Sequence, residues 1–224
     1  MMWRLVSLML CSNWAAALAL RGPLRAGVRR AGVEAAALRE PLAGARRAGV
    51  EALLEQQLGY VPPNLLEVAA WTTSGTPAVI VAHPLLWRRK GVEPFPTTYW
   101  LTSPELSAAV GTVERDGGVR AAREAVFARA GAEASMRAAH ETYAADRWAL
   151  LSAEERGLAE GNGWGESLRT VGVAGLRDPL NVKCLHAHYG HWLATGQNDV
   201  GAWVHAALPE DVRSFALGAA PAAV

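Results

Sequence analysis

The sequence predicts an α+β fold: a small antiparallel sheet of about three strands followed by a helical layer, in a single compact domain. Three observations carry this. Three β-rich runs come first, at Leu65–Thr72, Ala78–His83 and Thr97–Thr102. Helical patterns with recognisable start signals fill the stretch from Ser103 to about Ala207. Seven of the nine tryptophans lie beyond residue 70, and rings of that size supply much of a core's buried area, so the core is expected there.

Each element has a local reason. Val50–Leu58 has helical character that Gly59 stops, and Pro62-Pro63 confirm the break. The first two β runs flank Ser74-Gly75-Thr76-Pro77 and read as a hairpin. Thr97–Thr102 is β-branched and aromatic, hence a third strand. Ser103-Pro104-Glu105 then opens a helix, with Ser at the N-cap, Pro at the first helical position and an acid in the first turn. Helical patterns follow to about Val113, over about 118–130 and over about 132–151. Ser152 and Glu155 form a capping box for a short helix. Gly161–Gly165 and Gly172–Gly175 read as a Gly-rich connection. Asp178-Pro179-Leu180-Asn181 introduces a helix expected to run to Thr195, where Gly196 stops it, and a last short helix spans about 200–207.

Composition excludes several classes. Hydrophobic residues at 51% and charged residues at 19% suit a folded chain and not a disordered one. A net charge of +1 gives no basic excess for nucleic acid and no acidic excess for cation buffering. Of the two cysteines, Cys11 sits in the N-terminal stretch and Cys184 in the domain, so no intrachain disulfide framework is expected.

Residues 1–49 read as a targeting leader and low-complexity segment, 50–208 as the globular domain and 209–224 as a C-terminal tail. No Asp or Glu precedes Glu34. Arg4, the apolar run Leu5–Leu20 and small residues around Ala15–Ala19 have the form of a signal peptide. The Arg- and Ala-rich stretch after it has the composition of a transit peptide. In series they indicate import into an organelle, a plastid with a bipartite leader, with simple secretion as the alternative. The apolar run is shorter than the roughly 20 residues a membrane span needs, so no transmembrane helix is expected in the mature protein. Arg29–Ala35 recurs as Arg46–Ala52, two copies only, which fits low complexity and not a solenoid.

Three stretches carry a family resemblance: Gln57-Leu58-Gly59, Pro94–Leu106 with Phe-Pro-Thr-Thr-Tyr-Trp-Leu-Thr-Ser-Pro, and Val182–His191 with Val-Lys-Cys-Leu-His-Ala-His-Tyr-Gly-His. Together they resemble the bacterial family called domain of unknown function 501. Ala139-His140-Glu141, Tyr143 and Arg147 match a further pattern of that family. The resemblance covers about residues 55–207 and implies no known activity. Family members often carry a cysteine where Ser103 stands and a cysteine-bearing turn near residues 70–73, and this chain has neither.

The chemically unusual stretch is Cys184–His191. On a helix from Asn181 to Thr195, Val182, Leu185, Tyr189, Trp192 and Leu193 form an ordinary core stripe. Cys184, His188, His191 and Thr195 fall opposite, and His186 lies apart at the edge of the apolar side. These side chains are either hydrogen-bonded interior residues or a site. As a metal site they offer Cys184 with His188, or His188 with His191, but not all three on one ion, because Cys184 and His191 stand about 10 Å apart along the helix axis. His140, His83 or Asp178 would complete a zinc set. As a catalytic site they offer Cys184 as nucleophile and His188 as base. A third option is an anion site of Asn181, Lys183 and Arg177 at the helix start. If the arc is a site, Cys184, His188 and His191 should meet His140, because one helix alone cannot supply the third orienting group. The function classes left open are a hydrolytic or metal-assisted enzyme and a non-catalytic binding or scaffold protein. His140, Glu141, Tyr143 and Arg147 read as a hydrogen-bonded helix surface, with a pocket-facing set as the alternative, and Trp87-Arg88-Arg89-Lys90 as a solvated loop, with phosphate contact as the alternative.

Overall fold

The structure is a computed structural model that describes residues 42–218. Residues 1–41 of the leader expected over 1–49, and the residues beyond 218, lie outside the described residues, whereas 42–49 are described. Helix α1 (Gly44–Leu58) ends at Gly59, whose left-handed φ of 78° is the conformation glycine adopts without strain. It starts six residues before the predicted Val50, and Leu42 ahead of it is buried.

Strands β1 (Leu65–Trp71) and β2 (Pro77–Ala82) form the predicted hairpin. A second hairpin follows, β3 (Leu85–Arg88) and β4 (Gly91–Pro94), paired only with each other. The stretch Trp87–Lys90, expected to be a loop, forms the end of β3 and the two-residue turn. β5 (Tyr99–Leu101) then pairs antiparallel with β2, giving the sheet order β1-β2-β5. The small antiparallel sheet and the helical layer predicted from the sequence are both present.

Every residue of β2 is buried, because both faces of the sheet are covered. Alternation divides its side chains. Ile80 joins Val50 and Leu54 of α1 with Leu65, Val68 and Trp71. Val79 and Val81, with Tyr99 and Leu101, meet the main helical layer. That layer comprises α2 (Pro104–Arg115), α3 (Gly118–Phe127), α4 (Ala132–Ala149), α7 (Leu185–Thr195) and α8 (Asp199–Ala207). Short helices α5 (Ala153–Gly161) and α6 (Gly165–Thr170) close a satellite core around Leu85, Leu151, Ala159 and Leu168. Both predicted caps form: Ser103 Oγ accepts from Leu106 N–H, and Ser152 with Glu155 makes the reciprocal box.

α7 lies directly on β5. A Cβ on Gly190 would stand 3.1 Å from the Tyr99 carbonyl oxygen, so glycine is what permits this approach. α9 (Glu210–Phe215) and Gly218 pack back on the sheet, Gly218 bridging to Trp71. The chain is therefore structured for ten residues past the domain end expected at 208. Of the tryptophans expected in the core, Trp71 and Trp203 are buried, whereas Trp87 on the second hairpin is 54% exposed. Among the described residues no helix is long and apolar enough to cross a membrane.

Candidate metal centre

Helix α7 begins at Leu185, four residues later than the sequence pattern places it. Cys184 precedes it in extended backbone (φ −123°, ψ 111°). The cause is a cap from elsewhere in the chain: the Glu114 carboxylate of α2 accepts the Leu185 N–H at 2.6 Å, satisfying a donor that a helix start leaves open. Cys184 therefore does not follow the helical rotation that would align it with His188 and His191.

Its sulfur joins Glu114 and His186 instead. One ligand atom from each of the three lies within 4.8 Å of the other two, and all three residues are half-buried. His186 Nδ1 is 3.2 Å from Glu114 Oε1, and Nε2 is 3.0 Å from the Ser107 carbonyl oxygen. A carbonyl only accepts, so Nε2 carries hydrogen and donates. That leaves Nδ1 facing the carboxylate and the thiol. Burial pushes the Cys184 thiol up, but the His186 ring and the Ala187 N–H outweigh it, and the thiol sits below its usual range. Cys184 in turn holds His186 up at about 9 against burial, helped by Glu114 and the Ser107 carbonyl. Sulfur, imidazole nitrogen and carboxylate oxygen so arranged can hold a metal ion. Among the described residues no other group of three His, Cys, Asp or Glu side chains is so spaced.

The remaining candidates of the arc turn inward. His188 and His191 are fully buried, and His140 of α4 is 5% exposed. Asn198 ties two of these rings to the start of α8. Its Nδ2 lies 3.0 Å from His188 Nδ1 and 3.3 Å from His191 Nδ1, while its Oδ1 accepts from Gly201 N–H at 3.0 Å. An amide nitrogen donates, so the His191 ring accepts at Nδ1 and carries hydrogen on Nε2. His188 Nδ1 also lies 3.2 Å from Asn198 Oδ1, so either tautomer of His188 bonds this amide, and neither ring uses its Nε2 there. Those Nε2 atoms, and both nitrogens of His140, have no hydrogen-bond partner. They lie among rings: Tyr99 stacks on His191 at 5.5 Å, Tyr143 meets it edge-on at 5.2 Å, and His140 meets His188 edge-on at 5.8 Å. Burial lowers His140 to about 4, and His188 and His191 to about 3. His140 fills the space beside Gly172, where a Cβ would fall 2.1 Å from its Nδ1.

The structure thus brings His140 to His188 and His191 but leaves Cys184 with Glu114 and His186. The pairing of Cys184 with His188 as nucleophile and base is not assembled. His83 bonds Leu85 and Glu155, and Asp178 caps its own turn at Leu180 while its charge also reaches His140. Arg177 pairs with Glu166 at 3.7 Å on the surface, and Asn181 Oδ1 accepts from Val182 N–H, so no anion site forms there. His140, Tyr143 and Arg147 point into the core and not onto a helix surface; Glu141 alone of that set is exposed. Sequence reasoning passed over Glu114 and set His186 aside. The available signal was the Cys-x-His spacing, which puts both side chains together once the helix starts at Leu185.

No curated protein and no solved structure matches this chain. A family model does, over residues 68–206, which is more than half of the chain and includes Glu114, Cys184, His186 and the buried histidines. The chain belongs to that family, described as protein of unknown function (DUF501).

Proposed function

We propose that the protein binds a zinc-type metal ion through Glu114, Cys184 and His186 and uses it in metal-assisted hydrolysis. The observation that carries this reading is the bonding of His186. A histidine that ligates a metal characteristically donates its other ring N–H to a carbonyl or carboxylate, which fixes the tautomer. His186 donates Nε2–H to the Ser107 carbonyl and turns Nδ1 toward a carboxylate oxygen and a sulfur. With His186 held up at about 9, a proton on Nδ1 bridges to Glu114 at 3.2 Å in the metal-free protein, and a metal ion would take that proton's place. The mixed S, N, O donor set suits zinc, and three protein ligands on a half-buried surface leave a fourth position for water or substrate. When bound, the ion supplies Lewis acidity to that fourth ligand. Glu114 fixes the start of α7 and so sets the distance between Cys184 and His186. His188, His191 and Asn198 hold α7 against the core and touch no ligand.

Elemental analysis of the purified protein tests this. Near-stoichiometric zinc or a similar ion is expected, lost in Cys184→Ala and His186→Ala and retained in His188→Ala, which only lowers stability. Protein that stays metal-free after incubation with zinc overturns the reading. The full burial of His188 and His191 would then favour the second reading, a non-catalytic binding or scaffold protein with α7 as a core element.

A further inference from the structure

We propose that Cys184 is a covalent modification site: a hydroperoxide oxidises its sulfur and the metal ion is released. The inference rests on the metal reading above. Three features of the site support it. Cys184 is half-buried, at the surface end of α7, so a small oxidant reaches it. It supplies the one sulfur among the three ligands, and the other two, a carboxylate and an imidazole, are inert to peroxide. With three protein ligands in all, loss of one leaves only Glu114 and His186, from two separate elements.

The step balances as follows. The thiolate sulfur attacks one peroxide oxygen; an S–O bond forms and the O–O bond breaks. Hydroxide, or an alkoxide from an organic hydroperoxide, leaves and takes a proton from water. Sulfur gives up two electrons and the peroxide gains them, leaving a sulfenic acid. Cys184 is the one cysteine among the described residues, so no second thiol of the fold stands ready to form a disulfide. A small thiol must complete the cycle: it condenses with the sulfenic acid, water leaves, and a mixed disulfide remains that a second thiol reduces. The ion then rebinds.

The test uses full-length zinc-loaded protein, a chromogenic chelator and hydrogen peroxide. Release of about one ion per chain is expected in step with a sulfenic-acid adduct on Cys184, trapped by a dicarbonyl reagent and located by mass spectrometry. A thiol should restore binding. Cys184→Asp keeps a ligand that peroxide cannot oxidise, so it should hold its metal through the treatment. If metal stays bound while peroxide is consumed, or leaves without modification of Cys184, the inference fails and the metal reading stands. A protein that takes up no zinc beforehand fails the metal reading itself, and that is seen before any peroxide is added.

Discussion

Arg147 is a full positive charge with no carboxylate among its contacts. Its guanidinium donates instead to four backbone carbonyls, those of Pro96, Ser167, Leu168 and Val171, and lies over Tyr143. Three of the four are carbonyls at the end of α6 or just after it, where the helix dipole is negative and the last carbonyls lack intrahelical partners. Burial lowers the Arg147 pKa from its ordinary value, and the side chain stays bound by this cage of acceptors. Arg147→Met fills the space but strands the carbonyls, so it should cost roughly 3 kcal/mol by urea unfolding, with Arg88→Met on the exposed hairpin within about 0.5 kcal/mol. Equal effects would remove this account. The buried histidines make a pH prediction. Folded His140 and His191 titrate at about 4 and about 3, below the ordinary 6.5. The unfolded chain therefore takes up protons that the folded one refuses. Stability is fully present above pH ~6.5 and is lost as pH falls toward 4, by up to about 1.4 kcal/mol per pH unit for each histidine. Urea midpoints at pH 7.5, 6 and 5 should decline, and less steeply in His191→Gln; a flat profile contradicts the burial argument.

At the scale of elements, both chain ends described here are part of the fold. Leu42 is 7% exposed and packs with Val50, Leu54 and Ile80. A chain starting at residue 42 should melt like the full chain, while one starting at 50 should lose about 2 kcal/mol with the buried leucine. At the other end, stopping at 208 removes α9 and the Gly218 bridge to Trp71 and should lower the melting temperature, whereas stopping at 218 should not. No difference between either pair of truncations would show these contacts to be idle. The elements legible in the sequence were those with local signals: Ser103-Pro104-Glu105, Ser152 with Glu155, Gly59, Gly196 and the β-branched strands. Those missed are held by distant groups. The β3–β4 hairpin turns through Arg89-Lys90, which carries none of the usual turn residues. α6 is a six-residue helix in a Gly-rich stretch, anchored at its end by Arg147. The start of α7 depends on Glu114, 71 residues away, and that one contact decides whether Cys184 faces the histidines or His186.

For the molecule as a whole, α7 joins two kinds of chemistry. Its start carries the half-buried Cys184 and His186, the proposed ligands, and its later turns lie buried between sheet and helices. Metal loss should therefore leave the fold largely intact, since the core contacts of α7 do not pass through Cys184. Near-unchanged circular dichroism with a modestly lower melting temperature is expected after chelation; global unfolding would mean that the ion holds the fold together. The segment expected to target the protein lies mostly outside the described residues. Plastid import is the proposal there, and residues 1–50 fused to a fluorescent protein should carry it to the organelle. A purely cytosolic signal would sink it.

The contact between Gly172 and His140 makes the two positions genetic partners. Gly172 has φ −84° and ψ −159°, a conformation open to any residue, so the obstacle to a side chain there is the imidazole alone. Gly172→Ala should destabilise by about 1–3 kcal/mol through overpacking. His140→Ala should destabilise too, by opening a void. Combined, the new methyl occupies part of the space the ring vacates, so the double variant should be more stable than the sum of the two losses. A coupling of about 1 kcal/mol or more in a double-mutant cycle is expected. Simple additivity would mean that His140 moves aside freely, and that the ring cluster is looser than its burial implies.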